Sequence, residues 1–156
     1  MLAPGTVLYF TPFYFDDGTA KNKYFLVMGE IKPNKNDEYH IIIAALPSSQ
    51  DHNPTDLDIS HGCNDYPERG VNCYHFEKDV IITTNGFSFP LKTYIYGHWI
   101  SDFKSSLLIN DYNIDLNDYK IIRRLTSEEF EAVQNCIKAS CNTKRKYKKW
   151  IEYIKY

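Results

Sequence analysis

The chain has 156 residues, of which 43% are hydrophobic and 15% aromatic, and its formal net charge is −2. This length corresponds to one domain with one hydrophobic core. No apolar run reaches the roughly eighteen residues of a membrane span, which excludes a transmembrane helix. The N-terminus lacks a basic region followed by an apolar block, so we expect no export signal. We therefore expect a cytoplasmic protein, away from membranes, whose four cysteines are reduced.

Charge is distributed unevenly along the chain. Residues 1–119 contain 8 Lys/Arg and 16 Asp/Glu, whereas residues 120–156 contain 10 and 4. A basic end on an acidic body can meet RNA, an acidic protein partner, or its own acidic face. Charge alone leaves these three alternatives open.

The first predicted elements are two strands joined by a tight turn. Residues 6–10 and 24–28 are rich in β-branched and aromatic side chains. Between them lies Asp16-Asp17-Gly18, where Gly supplies the positive φ that a tight turn needs. Pro12 predicts an edge or a bulge, because Pro cannot donate to a sheet ladder. Lys23 stands just before the second strand, and we expect its amine to face a working surface.

Further strands are predicted in the middle of the chain. Residues 39–46 form a short continuous apolar run typical of a strand buried on both faces. Residues 48–58 are too polar for a core and are predicted to form a loop. Asn85-Gly86 is a strong hairpin signal. The other predicted strands are residues 71–76, 79–84, 87–89, 92–96, 99–103, 106–109 and 119–125.

The apolar period becomes helical after residue 125. Thr126 and Glu129 form a capping-box pattern, in which each side chain satisfies a backbone N–H at the start of a helix. Apolar residues follow at helical spacing, and residues 140–143 separate them from a second helix. The apolar face of the second helix carries Tyr147, Trp150, Ile151 and Ile154. Strands followed by helices predict an α+β fold in one domain, residues 1–156, with a small barrel over 1–125 and C-terminal helices over 126–156.

Three short motifs occur in a distinctive order. They are Gly5-Thr6-Val7, the turn at Gly18 with Lys21-Asn22-Lys23, and Phe25-Leu26-Val27. A buried strand over 41–46 then ends in Pro47-Ser48-Ser49, and a strand and a helix close the chain over 119–137. This order resembles the PemK/MazF family of toxin endoribonucleases over about the first fifty residues, and more loosely over the last forty.

The resemblance implies a fold, an activity and partners. The fold is a small SH3-like β-barrel, usually a homodimer. The activity is cleavage of single-stranded RNA without a metal or cofactor, and an antitoxin protein occupies the RNA groove. The family has Arg at the position of Lys23 and Thr near Pro47 or Ser48. The alternative is a catalytically inactive barrel of the same fold that binds nucleic acid or protein.

Metal-free RNA cleavage requires a base for the 2′-hydroxyl, a cation for the phosphorane and an acid for the leaving oxygen. Lys23 is the predicted cation, and once desolvated it can also act as a base. Ser48 and Ser49 are predicted to donate to phosphate oxygens, which completes the predicted catalytic set. His52 is close in sequence and titrates near neutrality. In the alternative interpretation Lys23 is a solvated strand-end charge and the serines are turn residues.

Several basic and aromatic residues are candidates for binding RNA. His98 and Trp99 can stack on a base, although a Gly-His-Trp turn can also simply pack an aromatic ring. The basic cluster after residue 143 can bind phosphate, or can be the solvated face of an amphipathic helix. The complete predicted RNA-binding set is Lys21, His52, His98, Trp99, Lys144, Arg145 and Lys148.

The cysteines and histidines of the middle segment form a mirrored pair of motifs. His61-Gly62-Cys63 and Cys73-Tyr74-His75 together could supply four zinc ligands. Residues i and i+2 share a face of a strand, but the spacing lacks the usual C-x₂-C. Buried reduced cysteine is the more common alternative, so we predict no metal site. Cys136 and Cys141 are predicted to be packing residues.

Overall fold

The computed structural model describes residues 2–48, 56–112 and 117–156, except for the side chain of Ile109. Three helices and eight strands lie in these ranges. The strands are β1 (Thr6–Tyr14), β2 (Ala20–Ile31), β3 (His40–Leu46), β4 (Gly62–Tyr66), β5 (Val71–Phe76), β6 (Thr93–Tyr96), β7 (Ile100–Lys104) and β8 (Tyr119–Arg124). The helices are α1 (Ser105–Asp111), α2 (Ser127–Ala139) and α3 (Arg145–Glu152). Each helix within the described ranges is too short or too polar to cross a membrane.

The strands form two antiparallel sheets. The larger has the order β7-β3-β2-β1-β8, and the smaller has the order β4-β5-β6. The α+β class is therefore confirmed. Among the described strands neither sheet closes on itself, since β7 and β8 are the two edges of the larger sheet.

The predicted first hairpin is the centre of the larger sheet. Gly18 lies in the turn with a φ of 83°, a conformation that glycine adopts without steric cost. The β1–β2 register shifts by one residue between Phe10 and Phe13, so the predicted bulge at Pro12 is confirmed. The bulge lies in an interior strand, because β1 pairs with both β2 and β8.

The larger sheet is buried on both faces, because alternate residues of its strands point to opposite sides. One face carries Val7 and Leu26, which belong to the main core with the smaller sheet, α2 and α3. The other face carries Leu8 and Phe25, which pack in a second, aromatic-rich core that includes Leu108 of α1. The continuous apolar runs in β2 and β3 follow from this two-sided burial.

The sequence correctly predicted the positions of the two C-terminal helices and the side chains that they bury. Tyr147 and Ile151 of α3 are buried, and Trp150 and Ile154 pack partly buried against the main core. Thr126 caps α2 by accepting a hydrogen bond from the Glu129 backbone N–H, at 3.2 Å. The second half of the predicted capping box is wrong. The Glu129 carboxylate instead accepts hydrogen bonds from the Tyr74 hydroxyl and pairs with the His61 ring, both at 2.8 Å.

Three other predictions of local structure are corrected. Residues 106–109 were predicted to be a strand but belong to helix α1. The prediction failed because a short apolar run does not distinguish a strand from a helix. Residues 79–84 and 87–89 are not strands; they flank the predicted Asn85-Gly86 turn, and only Thr83 makes a β-bridge, to Leu125. Strand β4 was not predicted, because its sequence is polar.

The predicted reduced state of the cysteines is also corrected. Cys63 on β4 and Cys136 on α2 form a disulfide, with their Cα atoms 5.5 Å apart. Cys136 is therefore a buried core residue, as predicted, and also a covalent link between the smaller sheet and α2. Cys73 is buried, and neither Cys73 nor Cys141 is disulfide-bonded. The prediction that Cys141 is a packing residue is wrong, because this side chain is exposed.

The β4–β5 register explains why the mirrored motifs do not form a zinc site. Cys63 lies opposite Tyr74, so Cys63 and Tyr74 share the face that meets α2. Cys73 and His75 flank Tyr74 and point to the other face. Within the described ranges, no cluster of three or more His, Cys, Asp or Glu side chains is placed to hold a metal ion.

A polar network ties α3 to the edge of the larger sheet. The Asp102 carboxylate on β7 accepts hydrogen bonds from Lys146 at 2.8 Å and Tyr147 at 2.6 Å, and lies 2.7 Å from the His40 ring. Burial raises the pKa of this carboxyl, but hydrogen bonds from the three neighbours outweigh burial and lower the pKa to about 2. The network therefore stabilises the folded state when Asp102 is ionised.

We expect Asp102→Asn to lower the free energy of unfolding at neutral pH by about 2 kcal/mol. The folded pKa lies below the usual 3.8 of an aspartate, so this stabilisation is complete above that value and is lost as the pH falls towards 2. Urea unfolding at several pH values measures both effects, with the exposed Asp111→Asn as control. If the free energy of unfolding of Asp102→Asn fell as steeply at low pH as that of the wild type, the proposed role of the network would be contradicted.

Candidate functional site

Lys23 and Ser48 line the same cavity, of about 360 Å³. Lys21 and Asn22 line it as well, so the whole Lys21-Asn22-Lys23 motif borders one concave surface. Ser48 is exposed and Lys23 is half-buried. The other lining residues are Tyr9, Tyr24, Leu46, Pro47, Phe89, Pro90, Leu91 and Thr93.

The strand register brings these two distant segments together. Tyr24 on β2 lies opposite Leu46 at the end of β3. The chain beyond Leu46 therefore continues beside the residues that precede Tyr24, and these include Lys23. The Pro47 carbonyl accepts a hydrogen bond from the Tyr94 backbone N–H at 3.0 Å, which fixes the exit of β3 against the smaller sheet. Ser48 thus leaves the sheet at the mouth of the cavity.

Lys23 also lines a second cavity, of about 400 Å³, on the other side of its strand. Lys23 lies opposite Phe10, whose ring belongs to the aromatic-rich core. Its Nζ lies 5.2 Å from the centroid of the Phe15 ring and 5.6 Å from that of the Trp99 ring. The remaining lining residues are Phe13, Tyr14, Asp16, Phe25, Ala45, Ser101 and Phe103. Lys23 therefore stands at the boundary between two cavities. We call the first the polar cavity, after its Lys, Asn, Ser and Thr residues, although Leu46, Phe89, Pro90 and Leu91 line it as well. We call the second the aromatic cavity.

The Lys23 ammonium is in an unfavourable place for a charge. Burial, and to a smaller extent the charge of Lys21, lower the pKa of the Lys23 amine below its usual 10.5. In the described ranges, no carboxylate forms an ion pair with Lys23. Two aromatic rings supply its cation–π contacts. A cation without a charged partner, between two cavities, is suited to an anionic ligand.

Two tyrosines of the polar cavity were not predicted as site residues. The rings of Tyr9 and Tyr24 lie 4.4 Å apart, centroid to centroid, and both line the cavity. Burial raises the pKa of the Tyr24 hydroxyl, and the neighbouring Tyr9 raises it further by a smaller amount. Tyr24 therefore keeps its proton at neutral pH. The β1–β2 pairing Tyr9↔Tyr24 is the signal that could have identified them, since it places them one residue from Lys23.

The other predicted site residues fall into three groups. Ser49 and His52 lie outside the described residues. His98 is exposed beside Trp99, with ring centroids 5.5 Å apart, and Trp99 lines the aromatic cavity. A third group, on or just before α3, lines neither cavity and consists of Lys144, Arg145 and Lys148.

Comparison of the chain with known protein families, with curated proteins and with solved structures gave no match. The resemblance to the PemK/MazF toxins therefore stays a prediction from short motifs.

Proposed function

We propose that the protein binds single-stranded RNA across the two cavities at Lys23 and cleaves it there without a metal. The observation that carries this proposal is the position of Lys23, which lines the polar cavity together with Ser48 and the aromatic cavity together with Phe15 and Trp99. A phosphodiester placed at Lys23 would have a hydroxyl donor on one side and aromatic rings on the other.

The aromatic cavity supports a single-stranded ligand. Unpaired bases stack on Phe, Tyr and Trp side chains, and such stacking tolerates many sequences. A base within a duplex is already stacked and cannot enter such a cavity. Trp99 and Phe15 are therefore the proposed base contacts, and His98 extends the same surface outward.

Cleavage at this position follows an internal attack. A base removes the proton of the ribose 2′-hydroxyl, the 2′ oxygen bonds to phosphorus, and the bond to the 5′ oxygen breaks. The Lys23 ammonium stabilises the phosphorane and Ser48 donates to a non-bridging oxygen. Tyr24 keeps its proton and is an acid available to the leaving 5′ oxygen. His52, which was predicted to bind RNA and follows Ser48 by four residues in the sequence, is the proposed base. The products are a 2′,3′-cyclic phosphate and a 5′-hydroxyl end.

The direct test is incubation of the purified protein with a labelled single-stranded RNA in excess EDTA. We expect fragments that end in 2′,3′-cyclic phosphate, and we expect DNA of the same sequence to remain intact because it lacks the attacking hydroxyl. Lys23→Ala should lose this activity, and Lys35→Ala, a change at an exposed lysine in the β2–β3 turn, is its matched control and should keep it. RNA left intact by the wild-type protein would rule out the nuclease.

A second candidate function is RNA binding without cleavage. The observation that favours it is the direction of the Lys23 amine, which lies over the Phe15 and Trp99 rings of the aromatic cavity, whereas Ser48 lines the polar cavity only. Binding needs the cation and the rings alone. Binding of RNA in the absence of any fragment would decide for this candidate.

The pH dependence of binding follows from the lowered pKa of Lys23. Contact with phosphate requires the ammonium, so affinity should fall as the pH rises through a value below that of an ordinary lysine. We expect a loss of roughly tenfold, typical of one charged hydrogen bond. Fluorescence anisotropy with 2′-O-methyl oligoadenylate measures it, because this ligand cannot be cleaved. In Lys23→Arg the affinity should stay constant over the same range, and a parallel loss in both proteins would contradict the assignment.

The proposal also includes the finer features that the resemblance implies. These are an SH3-like barrel arrangement of the strands, a homodimer, an antitoxin protein that competes with RNA for the Lys23 cavities, and a cytoplasmic location. The Cys63–Cys136 disulfide argues for a more oxidising compartment, because cytoplasmic thiols are normally kept reduced.

A further inference from the structure

A second basic surface lies in the groove between α2 and α3, which has a volume of about 620 Å³. Arg145, Lys148 and Lys149 follow at helical spacing along one side of α3, and Lys138 faces them from α2. The other lining residues are Asn135, Ala139 and Glu152. We call this surface the interhelical groove. It shares no lining residue with either cavity at Lys23.

Cations outnumber carboxylates by four to one among the described lining residues of the interhelical groove. Within the described ranges, none of the four forms an ion pair. Lys146, on the same helix, differs because it binds Asp102 at 2.8 Å. Like charges three or four residues apart on a helix repel one another. An anion bound in the groove would relieve this repulsion, since Glu152 is the one carboxylate among the described lining residues.

The lining favours a phosphate backbone over an acidic protein. Protein interfaces depend on buried aromatic or aliphatic anchors surrounded by a polar rim. The interhelical groove has Ala139 as its single apolar lining residue among those described, and its other residues are polar or charged. Nucleic-acid backbones need cations and hydrogen-bond donors, which Arg145, the lysines and the Asn135 amide supply.

We propose that the interhelical groove binds the phosphate backbone of single-stranded RNA, as an anchoring site separate from Lys23. This inference rests on the proposed function for its choice of RNA as ligand. It adds that one RNA contacts two places on the protein: a base and a phosphate at Lys23, and further phosphates between α2 and α3. The groove supplies affinity and salt dependence, whereas the Lys23 cavities supply any chemistry.

The test uses the triple variant Arg145→Gln/Lys148→Gln/Lys149→Gln and an uncleavable 2′-O-methyl RNA. Its control is Lys32→Gln/Lys35→Gln/Lys78→Gln, which removes the same charge from exposed lysines elsewhere. Fluorescence anisotropy at several salt concentrations gives the dependence of log K on log salt. Loss of three phosphate contacts should weaken binding roughly a hundredfold at about 0.1 M salt and make the slope shallower by about 2. The control should bind as the wild type does.

Equal slopes for the wild type and the groove variant would overturn the inference, as would equal losses in variant and control. Circular dichroism melting of each variant shows that a loss of affinity is not a loss of fold. Polyglutamate of matched charge should bind at least tenfold more weakly than the RNA, and equal binding would overturn the choice of a nucleic acid. The cleavage assay separates the two proposals. If the wild type cleaves RNA but the groove variant binds RNA as the wild type does, only the inference about the groove is rejected. If the groove variant loses affinity but the wild type does not cleave RNA, only the nuclease activity is rejected.

Discussion

Lys23→Ala should lower the rate of RNA cleavage by about 10²–10³-fold, the loss typical of removing one preorganised group that stabilises charge in a transition state. The same change should leave the fold intact. Lys23 is half-buried and makes no ion pair within the described ranges, and its pKa is lowered by burial, so its ammonium adds little to stability. A rate assay in EDTA and a thermal melt together measure both effects.

Lys23→Arg and Lys35→Ala are the controls for this prediction. Arginine keeps the positive charge and can bind a phosphate with two parallel hydrogen bonds, so we expect Lys23→Arg to retain much more activity than Lys23→Ala. Lys35→Ala should behave as the wild type. A marked drop in melting temperature for Lys23→Ala would mean that this residue has a structural role, and the assignment of the site would fail.

Removal of the disulfide by Cys63→Ser/Cys136→Ser should lower the free energy of unfolding by about 4 kcal/mol. This magnitude follows from the entropy of a loop closed between residues 73 positions apart. The link joins β4 to α2, and β4 has few apolar residues of its own with which to hold its position. Urea unfolding of the two proteins without reductant measures the difference.

Thiol counting provides the independent check on this disulfide. The unfolded, unreduced wild type should react at two thiols, Cys73 and Cys141, and at four after reduction. Cys141→Ser changes an exposed cysteine and should leave stability unchanged. Four reactive thiols before reduction would show that Cys63 and Cys136 are not bonded, and would restore the prediction of a fully reduced chain.

The sequence predicted the fold best where local chemistry and burial agree. The first hairpin was found because a glycine turn separates two runs of β-branched and aromatic residues, and α2 because Thr126 caps a helical apolar repeat. Strand β4 was missed because its polar sequence is held by pairing with β5 and by the disulfide, and neither appears in a local pattern. The helix at 105–111 was missed because its apolar run is too short to show a period.

The candidate site was partly predictable for a similar reason. The motif around Lys23 and the serines after β3 can be recognised as polar residues at the ends of buried strands. The cavity that Lys23 shares with Ser48 depends on the β2–β3 register, which fixes Tyr24 opposite Leu46. The aromatic cavity could not be predicted, because it combines Phe15, Trp99 and Phe103 from segments that are more than eighty residues apart at their extremes. The zinc hypothesis failed because strand alternation separates the two motifs.

A double-mutant cycle between Lys23 and Ser48, with the rate of RNA cleavage in EDTA as the readout, tests most directly whether these two residues form one site. If both side chains act on one phosphate in one cavity, Lys23→Ala and Ser48→Ala should be strongly non-additive, and the double variant should be little slower than Lys23→Ala alone. Effects that multiply independently, or a wild type that does not cleave, would contradict the claim that these two residues form one site.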